Sequence, residues 1–280
     1  MSRDRHIERI GEVLGGRSGA KVPYPVGMRN LTVLRKEMVG SALLRLTLGG
    51  SELEGFESHT ADEHVRFVFP DDDGTLRLPE KDGLVLKWPR PMPISREYTV
   101  RRYDAESLEL DIDFALHKGG FASDWAEAAE PGNRIHVAGP PGGLVVPDAY
   151  DRYLLAGDIT ALPAIARWLE WLPGEASGWA FIEVTDSSEE IALHPPANVE
   201  VQWLHRGAAE PGTSDLLEKA VCSVTVPEDE RTYAWVAGEA TSLKPIRKWI
   251  RNELGLAKDD CDIAGYWKKG VADFDEDHEH

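Results

Sequence analysis

The spacing of apolar residues divides the chain into two stretches with different rhythms. From about 28 to 147, short apolar runs of strand length are separated by turn signals such as Gly49-Gly50, and residues 64–69 alternate between two faces. We predict strands at 29–38, 41–48, 63–70, 84–88, 96–103 and 107–115, with one helix at about 121–129. Several short strands at this spacing predict a small antiparallel β-barrel.

After Pro147 the pattern changes to strands alternating with helices. We predict strands at 153–156, 179–184, 199–204 and 232–237, and helices at 161–171 and 240–254. Strands that are joined by helices belong to a parallel sheet with crossover connections. The fold class is therefore β-barrel plus α/β, an antiparallel barrel followed by a parallel-sheet domain.

The ends of the chain differ from these two stretches. Apolar residues at near-helical spacing predict a short helix over 6–14, and the Gly- and Pro-rich segment 15–27 is interpreted as a linker. We therefore divide the 280 residues into four parts. They are an N-terminal helix and linker (1–27), a barrel domain (28–147), an α/β domain with a C-terminal segment (148–270) and an acidic tail (271–280).

Composition narrows the classes of function. A formal net charge of −18 argues against a nucleic-acid partner, and no apolar run is long enough to span a membrane. The first 25 residues carry charges throughout and lack a secretory signal, so we expect a cytoplasmic protein, with monomer as the default state. The two cysteines, Cys222 and Cys261, cannot supply an ordinary iron–sulfur cluster, although one disulfide remains formally open. Any electron transfer therefore needs an organic cofactor.

The first motif is Arg96-Glu97-Tyr98-Thr99. On a strand, Arg96 and Tyr98 share one face and Thr99 lies on the other. An arginine fork suits a pyrophosphate, an aromatic ring can lie against isoalloxazine, and a neighbouring hydroxyl can hydrogen-bond a flavin. A surface strand would also produce this short pattern by chance.

The second motif runs from Asp113 to Trp125, where a predicted strand enters a Gly-Gly turn and then a helix. Backbone amides at such a helix start can hold a phosphate, and glycines allow a close approach. The candidate FAD-binding residues of this motif are His117, Gly119, Gly120, Ala122 and Ser123. The alternative is a plain strand–turn–helix that Ser123 caps.

The third and fourth motifs follow apolar strands of the α/β domain, where ligands bind outside the carboxyl ends of the strands. In the third, Gly157, Asp158 and Ala161 are candidates for a nicotinamide dinucleotide and Thr160 for the flavin or the nicotinamide, although the same turn also caps a helix without any ligand. In the fourth, Gly238-Glu239 follows a strand, and Gly265-Tyr266-Trp267 precedes two lysines. No GxGxxG fingerprint is present.

Together the four motifs resemble the siderophore-interacting protein family of the ferredoxin-reductase-like superfamily, over about 28 to 270. The matching positions are Arg96, Tyr98 and Thr99; His117, Ala122, Ser123 and Trp125; Gly157 to Ala164; Ala237 to Ala240; and Gly265 to Trp267. The chain departs from the family pattern at Ile159, which replaces a glutamate, and at Pro141, which replaces an arginine.

The resemblance implies FAD as cofactor, with Thr160 among its contacts, and NADH or NADPH as electron donor, held by Gly157, Asp158, Ala161, Gly238 and Glu239. It implies that Fe(III) in a siderophore is reduced to Fe(II) and released, so iron is a substrate. For an anionic ferric siderophore we expect cationic contacts from Arg66, Lys268 and Lys269. Reduced ferredoxin is an alternative electron donor that the sequence leaves open.

Two other functions stay open: a general NAD(P)H:flavin or electron-transfer reductase with another acceptor, and a siderophore-binding protein that does not catalyse. No metal site is expected. His59 and His64 are close in sequence but have no third ligand nearby in the chain, and the acidic tail with His278 and His280 is interpreted as a solvated end.

Overall fold

The computed structural model describes residues 5–117, 119–227, 229–272 and 274. They form two compact units, the first made of residues up to Gly15 with Ala20–Val146 and the second of Gly16–Gly19 with residues from Pro147 onward. Of the predicted tail, 271–280, only 271, 272 and 274 lie among the described residues. None of the described helices is long and apolar enough to cross a membrane.

The first unit contains two helices and most of the antiparallel strands. Its helices are α1 (Arg5–Leu14) and α2 (Phe121–Ala128), and a 3-10 helix spans Ser51–Leu53. Its strands are β1 (Ala20–Pro23), β2 (Met28–Val39), β3 (Leu43–Gly49), β4 (His64–Val68), β5 (Glu80–Asp82), β6 (Val85–Lys87), β7 (Ser95–Thr99), β8 (Arg102–Asp104), β9 (Glu109–Ala115), β10 (Arg134–Ala138) and β11 (Gly142–Val145).

Seven of these strands form one antiparallel sheet in the order β7-β4-β10-β2-β3-β9-β8. The sheet curls on itself. The ring centroid of Tyr98 on the edge strand β7 lies 4.2 Å from that of Phe114 on β9, which is next to the opposite edge strand. The predicted strand 96–103 is divided where the chain changes partners: Val100 N donates to Glu63 O and Arg101 N to Asp111 O. The barrel-like architecture is confirmed.

The second unit holds α3 (Leu162–Trp171), α4 (Leu216–Cys222), α5 (Leu243–Asn252), and short 3-10 helices at Ser187–Glu189 and Lys258–Asp260. Its strands are β12 (Arg152–Asp158), β13 (Ser177–Val184), β14 (Asn198–His205), β15 (Thr232–Glu239) and β16 (Cys261–Trp267). They pair in parallel in the order β14-β13-β12-β15-β16. The predicted parallel-sheet domain is confirmed.

The strand order of the parallel sheet has a switch point. From β12 the chain adds β13 and β14 on one side and then returns to add β15 and β16 on the other. The buried core on one face joins β12 and β15 to α4 and α5 through residues such as Leu154, Val236 and Ile246. Ligands of open α/β sheets bind in the crevice where the strand order reverses, here between the carboxyl ends of β12 and β15.

Several elements were not predicted, among them β1, β10, β16 and α4. Within the predicted linker 15–27, Ala20–Pro23 forms β1 and pairs antiparallel with β11, burying Val22. Strand β16, which sequence periodicity did not predict, adds the Gly-Tyr-Trp motif to the sheet edge beside β15. Cys222 and Cys261 are both free thiols.

Candidate functional site

The Arg-x-Tyr-Thr motif occupies β7, an edge strand of the curled sheet. Arg96 is half-buried and its Nη1 donates to Ser95 O over 2.7 Å. The half-buried ring of Tyr98 packs edge-on against Phe67 and lies tilted on Phe114. Burial raises the pKa of Tyr98, so its hydroxyl stays protonated. Thr99 is buried at the end of the strand.

The second motif forms the expected strand, turn and helix, and α2 begins at Phe121 after its N-cap Gly120. Gly119 has φ +75°, which favours glycine. A Cβ on Gly120 would lie 2.0 Å from His117 Cε1, so the imidazole ring covers the glycine backbone. Ser123 Oγ accepts a hydrogen bond of 3.1 Å from the His117 amide, which fixes the turn. The serine hydroxyl still carries a hydrogen that it can donate.

One aromatic cluster brings these two motifs together. Phe114, at the end of β9, contacts Tyr98 at 4.2 Å between ring centroids and Trp125 of α2 at 6.1 Å. Phe67 of β4 lies beside both, at 5.6 Å from Tyr98 and 6.1 Å from Trp125. Ala122 is buried against the same core. The start of α2 and the edge strand β7 are therefore held in a fixed relation.

At the switch point of the second unit, the Asp158 carboxylate joins three strands. Its Oδ1 accepts hydrogen bonds from Thr160 N (2.9 Å) and Thr160 Oγ1 (2.6 Å). Its Oδ2 accepts from Glu239 N (3.1 Å) and from the Trp267 indole Nε1 (2.8 Å). Burial raises the pKa of Asp158, although these hydrogen bonds act in the opposite direction. The carboxylate connects the ends of β12, β15 and β16.

Glu239 lies at the end of β15, and both of its carboxylate oxygens accept hydrogen bonds from backbone amides of the second unit. Oε2 accepts from the amides of Thr241 and Ser242, each at 2.7 Å, and Oε1 from the Lys269 amide at 3.1 Å. Burial acts to raise the pKa of Glu239, but the amides of Ser242, Lys269 and Thr241 lower it below its usual value. Its side chain therefore organises the start of α5 and the turn after β16.

Two glycines allow the crevice strands to approach. Gly238 has φ +150°, and a Cβ there would lie 2.7 Å from Asp158 Oδ2. A Cβ on Gly157 would lie 2.5 Å from the Cβ of Ala161 and 2.7 Å from Ala237 O. The Ala161 amide donates to Asp158 O at 3.0 Å, so it and the Thr160 amide are both used to close the turn. These amides do not point to a phosphate.

The crevice is acidic. It is lined by Asp158, Glu183, Gly212, Ser214, Leu217, Glu218, Glu239 and Ser242. Burial raises the pKa of Glu183, and the neighbouring Asp158 acts in the same direction. Such a lining disfavours a phosphate in this crevice and favours a neutral or cationic group.

The three cationic candidates for a siderophore occur in both units. Arg66, on β4, is ion-paired through Nη2 with Glu97 of β7, and its Nη1 donates to Ser95 Oγ over 3.2 Å. The side chains of Lys268 and Lys269 are exposed after β16. The ion pair between Glu97 and Arg66 was not predicted from the sequence. The β4–β7 register places the two residues opposite each other, so a predicted pairing of these two strands would have revealed it.

Comparisons with known proteins cover both units. A family model described as siderophore-interacting FAD-binding domain matches residues 32–144, and one described as siderophore-interacting protein matches 150–270. Ferric vibriobactin reductase ViuB of Vibrio cholerae is 38% identical over 250 residues, which are 88% of this chain and 90% of the relative. The NADPH-dependent ferric-chelate reductase of Escherichia coli is 35% identical over 82% of this chain and 91% of the relative.

A solved structure agrees with these sequence relatives. The crystal structure of a siderophore utilization protein from T. fusca superimposes with a TM-score of 0.86 and 40% identity, covering 92% of this chain and 98% of that chain. The similarity therefore extends through the barrel-like sheet and the parallel sheet alike.

Proposed function

Because the chain belongs to the siderophore-interacting protein family, we propose that it is an FAD-dependent reductase that uses NAD(P)H to reduce a ferric siderophore and release Fe(II). The observation that carries the proposal is the aromatic cluster that joins β7 to the start of α2. It brings the Arg96 fork, the Tyr98 ring and the glycine turn at 119–120 into one unit. A general reductase with another acceptor would share this cluster, so the test below compares acceptors.

The residues of the first unit fit an FAD. Arg96 supplies a half-buried guanidinium at a sheet edge for the pyrophosphate, and the amides at the start of α2 supply neutral donors for the same group. Tyr98 presents a ring with a protonated hydroxyl, and Thr99 and Ser123 present hydroxyls. His117 closes over Gly120 and shapes the turn. An FAD held by these residues would supply two-electron chemistry with NAD(P)H and one-electron chemistry with Fe(III).

For the nicotinamide dinucleotide we propose the crevice between β12 and β15. Gly157 and Gly238 let the ends of β12 and β15 approach each other closely, while Asp158 and Glu239 hold the strand ends in place through their internal hydrogen bonds. The acidic lining suits the nicotinamide end better than the phosphates. The contacts of Ala161 with NAD(P)H and of Thr160 with the flavin stay predictions.

For the substrate we propose that Arg66, Lys268 and Lys269 attract the anionic ferric siderophore. Reduction weakens the complex because Fe(II) is a poorer match than Fe(III) for hard anionic oxygen ligands. Cytoplasmic location, a monomeric state and ferredoxin as an alternative donor also stay predictions.

Glu97→Gln is expected to lower the KM for an anionic ferric siderophore roughly two- to fivefold, because it removes the carboxylate that competes for Arg66. Arg66→Gln should raise the KM. Both variants should keep a full complement of flavin, and steady-state rates at varied siderophore concentration measure the effect.

Glu106→Gln is the matched control, since Glu106 is an exposed glutamate in the turn before β9. Its KM should equal that of the unmodified protein. If Glu97→Gln and Arg66→Gln also leave the KM unchanged, Arg66 does not contact the substrate.

The proposed function is tested by the absorbance spectrum of the purified protein under anaerobic conditions. We expect flavin bands that bleach on addition of NADPH or NADH and return on addition of a ferric siderophore, while a chelator traps Fe(II). Bands that neither nucleotide bleaches would contradict the proposed donor. Turnover of ferric siderophores no faster than that of ferricyanide or quinones would favour a general reductase. Protein that binds no FAD would overturn the proposal.

A further inference from the structure

A cluster of metal-ligating side chains lies in the first unit, outside the four motifs. His6, Glu57 and His59 place one ligand atom each within 4.8 Å of the other two. His6 belongs to the first turns of α1, and the other two precede β4. This cluster was not predicted from the sequence, because His6 is 51 positions from Glu57.

Both imidazoles face the same carboxylate oxygen. His6 Nε2 contacts Glu57 Oε2, and His59 Nε2 lies 3.5 Å from that oxygen. Two imidazole nitrogens and one carboxylate oxygen are a donor set that divalent first-row metals such as Zn²⁺ and Fe²⁺ use in proteins. A simple ion pair needs only one histidine, as in the 2.7 Å contact between His205 and Glu190 in the second unit.

The cluster is closed on one side and open on the other. The exposed fraction of the side chain rises from 5% for His6 to 24% for His59 and 43% for Glu57. An ion among them would have its buried position filled by protein and its outer positions free for water. Such open positions are typical of metal sites with three protein ligands.

The ligands are supported by their surroundings. The face of α1 that carries His6 also carries Ile10 and Val13, which pack in one core cluster with Val22 and Tyr24. The ring of Tyr24 lies 5.6 Å from His6 and 5.2 Å from His59. This packing limits the orientations of both imidazoles.

The segment that carries the other two ligands is fixed by Glu63. Its carboxylate accepts the His59 amide at 3.1 Å and the Ser58 hydroxyl, and the residue is 1% exposed. Supporting contacts of this kind orient metal ligands and maintain affinity.

We propose that His6, Glu57 and His59 bind one divalent first-row transition-metal ion, which ties α1 to the segment ahead of β4. A metal–ligand distance of about 2.1 Å allows ligand atoms about 4.2 Å apart at most. Binding therefore needs small rotations of the more exposed His59 and Glu57 side chains, which close the separation of up to 4.8 Å and open the direct contact between His6 and Glu57. The proposal involves no flavin chemistry and holds or fails independently of the reductase activity.

Calorimetric titration of the FAD-loaded protein with Zn²⁺, after removal of metals by a chelator, tests the proposal. His278→Ala/His280→Ala serves as the background, so that the histidines of the acidic tail do not contribute to the titration. We expect one ion per chain and a rise in Tm on its addition. His59→Ala and Glu57→Gln should each weaken binding by at least about tenfold and abolish the rise in Tm.

His205→Ala is the matched control, since it removes a histidine from an ordinary histidine–glutamate pair and should leave Zn²⁺ binding unchanged. Replacing His59 leaves the His6–Glu57 contact in place, and circular dichroism and flavin content verify that the variant is folded. Absence of saturable binding in the background protein would overturn the proposal. Binding that survives both His59→Ala and Glu57→Gln would overturn it equally.

Discussion

Arg96→Ala is expected to yield a folded protein that binds FAD roughly 30- to 1000-fold more weakly than the unmodified chain. The guanidinium is the charged donor of the β7 motif, and its loss removes charge-assisted hydrogen bonds that contribute about 2–4 kcal/mol together. Quenching of flavin fluorescence during titration of the FAD-free protein gives the Kd. Arg96→Lys keeps the charge but loses the fork, so its Kd should lie between the two.

Arg102→Ala is the control for this experiment. Arg102 lies on β8 of the same sheet, is half exposed, and pairs with Asp104 at 2.7 Å. Its removal should change the Kd for FAD by less than about twofold, because an exposed pair contributes little. If Arg96→Ala binds FAD as tightly as Arg102→Ala, the guanidinium does not hold the pyrophosphate and the proposed role of β7 is wrong.

The architecture could be predicted from the sequence because each unit repeats one pattern of apolar residues along the chain. The strand predicted at 232–237 appears as β15, and the helix predicted at 161–171 appears as α3, each within two residues. Strand β15 is buried throughout and α3 is buried up to Leu169, so their apolar runs are long. For such elements the local pattern of apolar residues is enough to predict the element.

Elements whose position depends on distant partners were missed. Val22 is the buried residue of β1, and that strand exists because it pairs with β11, far along the chain. The break between β7 and β8 occurs because Arg101 changes its backbone partner to Asp111 of β9. Strand β10 was missed although Ile135 and Val137 alternate with polar residues, so here the signal was present but short.

The site was only partly predictable for a similar reason. The motifs identified Asp158 and Glu239 from their positions after strands, and the structure places both at the switch point. Their hydrogen-bond partners could not be predicted from the sequence, since the Trp267 indole is 109 positions from Asp158. The residues predicted as ligand contacts thus hold the strand ends together. This structural role leads to a prediction about stability.

Asp158→Ala is expected to destabilise the second unit by about 3–5 kcal/mol, because it leaves the Thr160 and Glu239 amides and the Trp267 indole N–H without their acceptor. Asp158→Asn keeps one acceptor oxygen and should lose about half as much. Urea unfolding followed by circular dichroism measures the loss, which should appear in the transition of the second unit and leave that of the first unit unchanged.

Two further variants separate a structural role of Asp158 from a role in NAD(P)H binding alone. Asp215→Ala removes an exposed aspartate that pairs with Lys219 and should change the free energy of unfolding by less than about 0.5 kcal/mol. Trp267→Phe removes the indole N–H while keeping an aromatic ring, so its effect and that of Asp158→Asn should be non-additive. Additive effects would show that the Asp158–Trp267 hydrogen bond does not stabilise the strands. An Asp158→Ala variant of unchanged stability but raised KM for NADPH would show that the carboxylate serves the ligand and not the strands.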